Sequence, residues 1–200
     1  AIKESFGFTA WNTWPDEYRL RDEKTLKKFI KEHKDEIECK KFIQWLFYYQ
    51  WMKLKKYAEE KGVKIIGDMP IYVAYDSADV WANPHMFWLN ENLDPVKVAG
   101  CPPDGFSPDG QLWGNPLYRW DLMKEQNYSW WVERISKSLE LFDVVRIDHF
   151  RGFAGYFTIP FGDKTAHNGT WVEGPGYDLF KAVNEQLPGA QIIAENLGFL

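Results

Sequence analysis

The chain has 200 residues, of which 45% are hydrophobic and 26% charged, the balance of a globular protein long enough for one domain or a substantial part of one. A net charge of −5 excludes an electrostatic case for nucleic acid or an anionic membrane, which reward clustered Lys and Arg. No run approaches the roughly 18 apolar residues of a membrane span, and the opening AIKESFGFTA is not a signal peptide.

Lys24, Lys27, Lys28, Lys31 and Lys34 fall at spacings that read as a solvated helix face. From about Glu36 to Lys61, Ile43, Leu46, Phe47, Trp51, Leu54 and Ala58 recur at helical spacing, and Gly62 supplies the stop. The β-branched run from Val63 to Asp68 then predicts a strand. A long segment from Pro70 to Tyr118, thick with Pro, Gly, Asn and Asp, reads as irregular, and a loop of that length inside a compact domain is usually functional. Trp131, Ile135 and Leu139 mark a second helix from Ser129 to Leu141, followed by a strand from Phe142 to Asp148. A third helix over Gly176 to Leu187 is broken by Pro188 and Gly189, and a third strand runs from Gln191 to Glu195. Strands alternating with helices predict a parallel α/β architecture. There is no internal repeat, linker or domain boundary.

Cys39 and Cys101 are the only cysteines and lack ligand spacing. They read as two buried free thiols, which places the chain in a reducing, cytoplasmic compartment. His33, His85 and His167 form no metal pattern with acids, so no metal is expected, and no motif or Gly-rich phosphate loop calls for a cofactor. The real deviation in composition is aromatic: 18% of the chain, with 11 Trp and 10 Tyr. Much of that is core. Rings also stack on the apolar faces of sugars, so a Trp-rich surface is one way to build a glycan site.

Each predicted strand ends on an acid: Asp68, Asp148 and Glu195. Side chains alternate faces along a strand, so Arg146 and Asp148 share one face while Val145 and Ile147 point to the other. Charged ends are costly in a core but natural at the open carboxyl end of a parallel sheet. Two carboxylates on neighbouring strands suit retaining glycoside chemistry, one as nucleophile and one as acid/base. An alternative is an Arg–Asp pair that only ties strands together. Asp68 equally reads as a turn cap, His149 as a packed histidine and Trp113 as core.

Several longer strings bear on this choice. GDMPIYVAYDSADVWANPHMF, PPDGFSPDGQLWGNPLYRW, VVRIDHFRGF and AENLG resemble, in that order, signature segments of the amylomaltases and plant disproportionating enzymes of glycoside hydrolase family 77. The likeness extends from about Lys3 to Leu200. It implies part of a (β/α)₈ TIM-type barrel with long inserted loops and about three core strands present, acting in α-1,4-glucan transfer between maltooligosaccharides. By the same resemblance, Asp148 matches the nucleophile and Glu195 the general acid/base. Arg146 and His149 match neighbours that hold the donor sugar and the nucleophile, Asp68 a sugar-binding acid, Trp113 a substrate-contacting aromatic, and Phe106 a position lining the glucan groove. Asn196 departs from the pattern, standing where the family has an Asp, which removes a charge beside Glu195.

Three strands do not close an eight-strand barrel. The expectation is therefore a partial catalytic domain over residues 1–200, lacking the first and last barrel strands and a third catalytic Asp. Such a chain would be inactive alone and prone to self-association through exposed edges. The partners expected are donor and acceptor α-1,4-glucans. The rival readings are an α-amylase-type hydrolase and a non-catalytic glucan-binding piece.

Overall fold

A computed structural model describes residues 1–195; Asn196 and the rest of the AENLG segment after Glu195 lie outside them. The chain opens with short helices α1 (Ile2–Ser5) and α2 (Asp16–Arg19), then α3 (Glu23–Glu32) and the long α4 (Lys34–Glu60). Strand β1 (Ile66–Pro70), α5 (Ala78–Ala82), β2 (Lys97–Cys101) and β3 (Gln111–Pro116) follow. Then come α6 (Trp120–Glu125), α7 (Ser129–Leu141), β4 (Val144–Asp148), β5 (Gly155–Pro160), β6 (Thr170–Glu173), α8 (Tyr177–Gln186) and β7 (Ile192–Ala194). The architecture is mixed α/β, with a parallel sheet in the order β1-β4-β7 and an antiparallel sheet in the order β3-β2-β5-β6.

The parallel sheet follows from its residues. Met69, Val145 and Ile147 point to one face and are buried, and helices cover that face with their own apolar stripes. Trp131 and Ile135 of α7 and Leu179, Ala182 and Val183 of α8 join them in one core. Full burial of a side chain such as Ile147 stabilises by about 1.5–3 kcal/mol. Asp143 sets the register at the strand entry: its Oδ2 accepts from the Ile65 N–H at 2.8 Å, and its own N–H donates to the Ile65 carbonyl at 2.9 Å. The opposite face of the sheet carries Asp68, Arg146, Asp148 and Ile193, all wholly or partly open to solvent.

Three expectations need correction. The segment from Pro70 to Tyr118 is not one irregular loop, since it folds α5, β2 and β3; its Gly and Pro residues punctuate short elements rather than preventing them. The first strand runs past Asp68 to Pro70; Pro70 lies at its end, where a missing N–H costs the ladder little. The thiols are not both buried, because Cys39 lies on the exposed side of α4 and Cys101 is half-buried.

The helix expected over Glu36–Lys61 runs over Lys34–Glu60, with Gly62 just beyond it at φ 69°. Its packing is one-sided. Trp51 Nε1 donates to the Leu141 carbonyl at 2.8 Å, and Lys55 Nζ reaches the carbonyls of Leu139, Glu140 and Phe142. Those carbonyls end α7, where a cation is favoured. Phe42, Ile43, Trp45 and Phe47 of the same helix remain more than half exposed. Among the described residues no helix is long and apolar enough to cross a membrane.

Candidate active site

The alternation of β4 places Arg146 between two carboxylates. Its register partner on β1 is Asp68, and Pro70 is the partner of Asp148. The guanidinium forks onto Asp68, with Nε 3.1 Å from Oδ1 and Nη2 3.1 Å from Oδ2, and Nη2 also reaches Asp148 Oδ1 at 3.4 Å. This bonding, above all the hydrogen bond with Asp68, raises the Arg146 pKa from its ordinary value, so the cation is permanent. An ion pair this open to water contributes little to stability. The arrangement is better understood as holding carboxylates at set positions on an accessible face.

Glu195 enters from the far side of β4. The register pairs Arg146 with Ile193 and Ile147 with Ala194, and the Glu195 N–H donates to the Ile147 carbonyl at 3.1 Å. Continuing that ladder by one residue sets Glu195 beside Asp148, on strands spaced about 4.8 Å apart. Glu195 Oε2 accepts the His149 backbone N–H at 3.0 Å. That N–H is aimed by a left-handed backbone at His149, φ 52° and ψ 44°, a conformation uncommon outside Gly that Asn, Asp and His adopt more readily than other residues. The other oxygen, Oε1, is buried without a hydrogen-bond partner among the described residues.

The wall of the site is aromatic. The Trp113 indole meets the His149 imidazole edge to face, with centroids 4.8 Å apart at 89°, and its Nε1 donates to Gln111 Oε1 at 2.9 Å. Burial lowers the His149 pKa, against the opposing pull of the Glu195 and Asp148 charges. Phe106 stands apart from this group. It is fully exposed on a turn where Asp104 Oδ1 accepts the N–H groups of Phe106 and Ser107, and among the described residues no ring contact joins it to Trp113 or His149. Among the same residues no cluster of three or more His, Cys, Asp or Glu is placed to hold a metal.

A family model described as 4-alpha-glucanotransferase, glycoside hydrolase family 77, matches residues 1–200. The chain belongs to that family. It is 50% identical to a 4-alpha-glucanotransferase of Clostridium butyricum and 51% identical to one of Streptococcus pneumoniae. Each match covers 100% of this chain and 41% or 40% of the relative, respectively. A solved amylomaltase from Streptococcus agalactiae in complex with acarbose is similar with a TM-score of 0.96 and 45% identity, over 100% of this chain and 41% of that one. The chain thus spans about two fifths of the length of the relatives it matches.

Within this glucanotransferase-family chain, Asp68, Arg146, Asp148, His149, Glu195 and Trp113 form one connected group, and Phe106 does not join it. Sequence reasoning passed over the layer beneath. Tyr72 is buried under Trp113, with centroids 6.2 Å apart, and stacks on Tyr118 at 5.9 Å and 19°. Arg134 of α7 donates to the carbonyls of Pro70 and Ile71. A signal for Arg134 was present: it follows Trp130 by four residues and Trp131 by three, the spacings that stack a cation on helix aromatics.

Proposed function

We propose that the chain carries the nucleophile and the acid/base of a retaining α-1,4-glucan transferase. The observation that supports this most is the placement of Asp148 and Glu195 at neighbouring carboxyl ends of β4 and β7, with Arg146 forked between Asp68 and Asp148. In the first step an Asp148 oxygen bonds to the anomeric carbon of a bound glucan. The glycosidic bond breaks, and Glu195 gives its proton to the departing 4-oxygen. In the second step Glu195 takes the proton of an acceptor's 4-hydroxyl, whose oxygen displaces Asp148 and restores the α-linkage. The His149 N–H holds Glu195 Oε2 and so sets the orientation of this carboxyl beside Asp148. Trp113 offers a sugar-stacking edge beside His149, Asp68 holds hydroxyls of the donor, and Phe106 lines the outer groove.

The three parallel strands are read as part of a (β/α)₈ barrel whose other strands belong to the length of the relatives that this chain does not match. Among the described residues both β1 and β7 are sheet edges, and Asp68 and Asp148 stand at least half exposed on the open face, which supports that reading. The exposed edges and the apolar residues of α4 favour self-association of the 200-residue chain. Two free cysteines support a reducing, cytoplasmic setting.

The test is incubation with maltotriose and chromatography of the products. It compares this chain, the chain extended to the length of its relatives, and the extended chain carrying Asp148→Asn. Glucose with a ladder of longer oligomers from the extended chain, abolished by the substitution, is the expected result. Shortening without a ladder would assign a hydrolase, and no product from any of the three would overturn the catalytic reading.

A further inference from the structure

The carbonyls that leave β1 are held from behind by one side chain. Arg134 Nη2 donates to the Pro70 carbonyl at 2.6 Å, and Nη1 donates to the Ile71 carbonyl at 3.0 Å and to Tyr118 Oη at 3.3 Å. The guanidinium lies over Trp131, 4.8 Å from its ring centroid, and 5.5 Å from that of Trp130, so its plane is fixed as well as its charge. Tyr118, fully buried, donates its own hydroxyl proton to the Ile71 carbonyl at 2.8 Å. Pro70 is the register partner of Asp148, so this clamp grips the strand end beside the proposed nucleophile.

From the clamp a continuous chain of ring contacts runs to the site. Tyr118 stacks on Tyr72, Tyr72 packs against Trp113, and Trp113 meets the His149 imidazole. His149 in turn gives its backbone N–H to Glu195. Gly152 shows how tight the junction is. A Cβ there would lie 2.7 Å from Ile71 Cδ1, 3.2 Å from His149 Cδ2 and 3.7 Å from Tyr72 Oη. The residues after β1 and those after β4 are therefore packed as one piece.

We propose that Arg134 is a positioning residue for the site, acting through Tyr118 and Tyr72 to fix the wall made by Trp113 and His149. It touches neither Asp148 nor Glu195. Its role rests on the proposed catalysis only for what the site is used for, since the clamp itself is a matter of geometry. A bidentate planar donor is required. Lysine would bring one compact charge to three acceptors and lose the stack on Trp131.

The deciding measurement is the NMR titration of the His149 imidazole in the chain extended to the length of its relatives, without any glucan, its signal assigned by His149→Gln. Among the described residues the charges facing this ring are Glu195, Asp148 and Arg151, and none is altered by the variants. Arg134→Met and Tyr118→Phe are expected to move the midpoint upward, toward 6.5, by about half a pH unit as the wall loosens and water reaches the ring. Arg134→Lys should fall between wild type and Arg134→Met. Phe29→Ala, which removes a buried ring outside the core cluster that holds Tyr72 and Tyr118, should lower the unfolding temperature and leave the midpoint unmoved. Tyr118→Phe carries no change of charge, so a shift there is not a field effect of a lost cation. The proposal is overturned if Arg134→Met shifts the midpoint no more than Phe29→Ala does. Should Arg134→Met fail to fold, an unmoved midpoint in Tyr118→Phe overturns it equally. Because no glucan is present, a failure of the transferase reading leaves this outcome untouched.

Discussion

The two sheets solve the same problem with different material. The parallel sheet buries one face under α7 and α8 within the main core and turns the other, with Asp68, Arg146 and Asp148, toward solvent. The antiparallel sheet has its own small core, Val98, Phe157, Ile159 and Ala166, and contributes Trp113 from β3. One sheet therefore supplies charges at fixed spacing and the other an aromatic wall. The site lies where they meet, joined by Trp113 against His149. A parallel strand covered on one side keeps its register through many neighbours, which suits groups that must be placed precisely. An antiparallel sheet with a bulge, as between Val98 and Gly100, tolerates the irregular path that brings a ring over them.

That division is open to breaking at several strengths. The largest effect is expected from Asp148→Asn in the extended chain: glucan transfer, followed by product chromatography, should fall by at least about 10³-fold. The unfolding temperature should hardly change, since the Asp148 side chain is half exposed. Next, Leu179→Ala under the parallel sheet should cost about 2–5 kcal/mol in urea unfolding. Ile159→Ala under the antiparallel sheet should cost toward the lower end of that range and speed amide exchange in β2 and β5 first, because its cluster is smaller. Equal losses and uniform exchange would mean that the sheets unfold as one unit. Arg146→Met in the extended chain should weaken maltotriose binding by about tenfold in calorimetry, with little change in urea midpoint. A large drop in stability instead would make the Arg146 pairs structural.

The smallest effect concerns pH. Burial lowers the His149 pKa in the folded chain, so the unfolded chain binds the extra proton first as pH falls. Stability from this group is complete above about 6.5 and declines as pH drops through 6.5 toward the lower folded value. Replacing His149 with Gln should flatten that part of a stability–pH curve measured by urea unfolding between pH 5 and 7.5, a range chosen to bracket the unfolded value. An unchanged slope would show that other groups set it.

The parallel half of this fold was largely legible in the sequence. Val144-Val145-Arg146-Ile147-Asp148 alternates cleanly, and Trp131 and Ile135 repeat at helical spacing, so each strand and helix was found within a few residues. The antiparallel half was not, because β2 and β3 are short, Gly-interrupted and embedded among prolines, where local pattern is weak and long-range pairing decides. The carboxylates could be nominated from strand ends, but their roles rested on family resemblance. Arg134 and Tyr72 escaped notice for a plain reason: both act through contacts with residues distant in sequence, such as Ile71 with Arg134 and Trp113 with Tyr72. On α4 the periodicity of Ile43 and Phe47 was real, yet these residues remain exposed in the described structure. A hydrophobic stripe names a face without naming its partner.

The hydrogen bond from His149 to Glu195 is made by the main chain, and this separates two properties that usually vary together. Any residue that accepts the left-handed backbone, such as Asn or Gly, would keep the Glu195 carboxyl anchored while changing what the side chain presents to Trp113. Proline alone would delete the anchor. Position 149 therefore offers an evolving or engineered sequence a place to reshape the wall beside Trp113 without displacing Glu195.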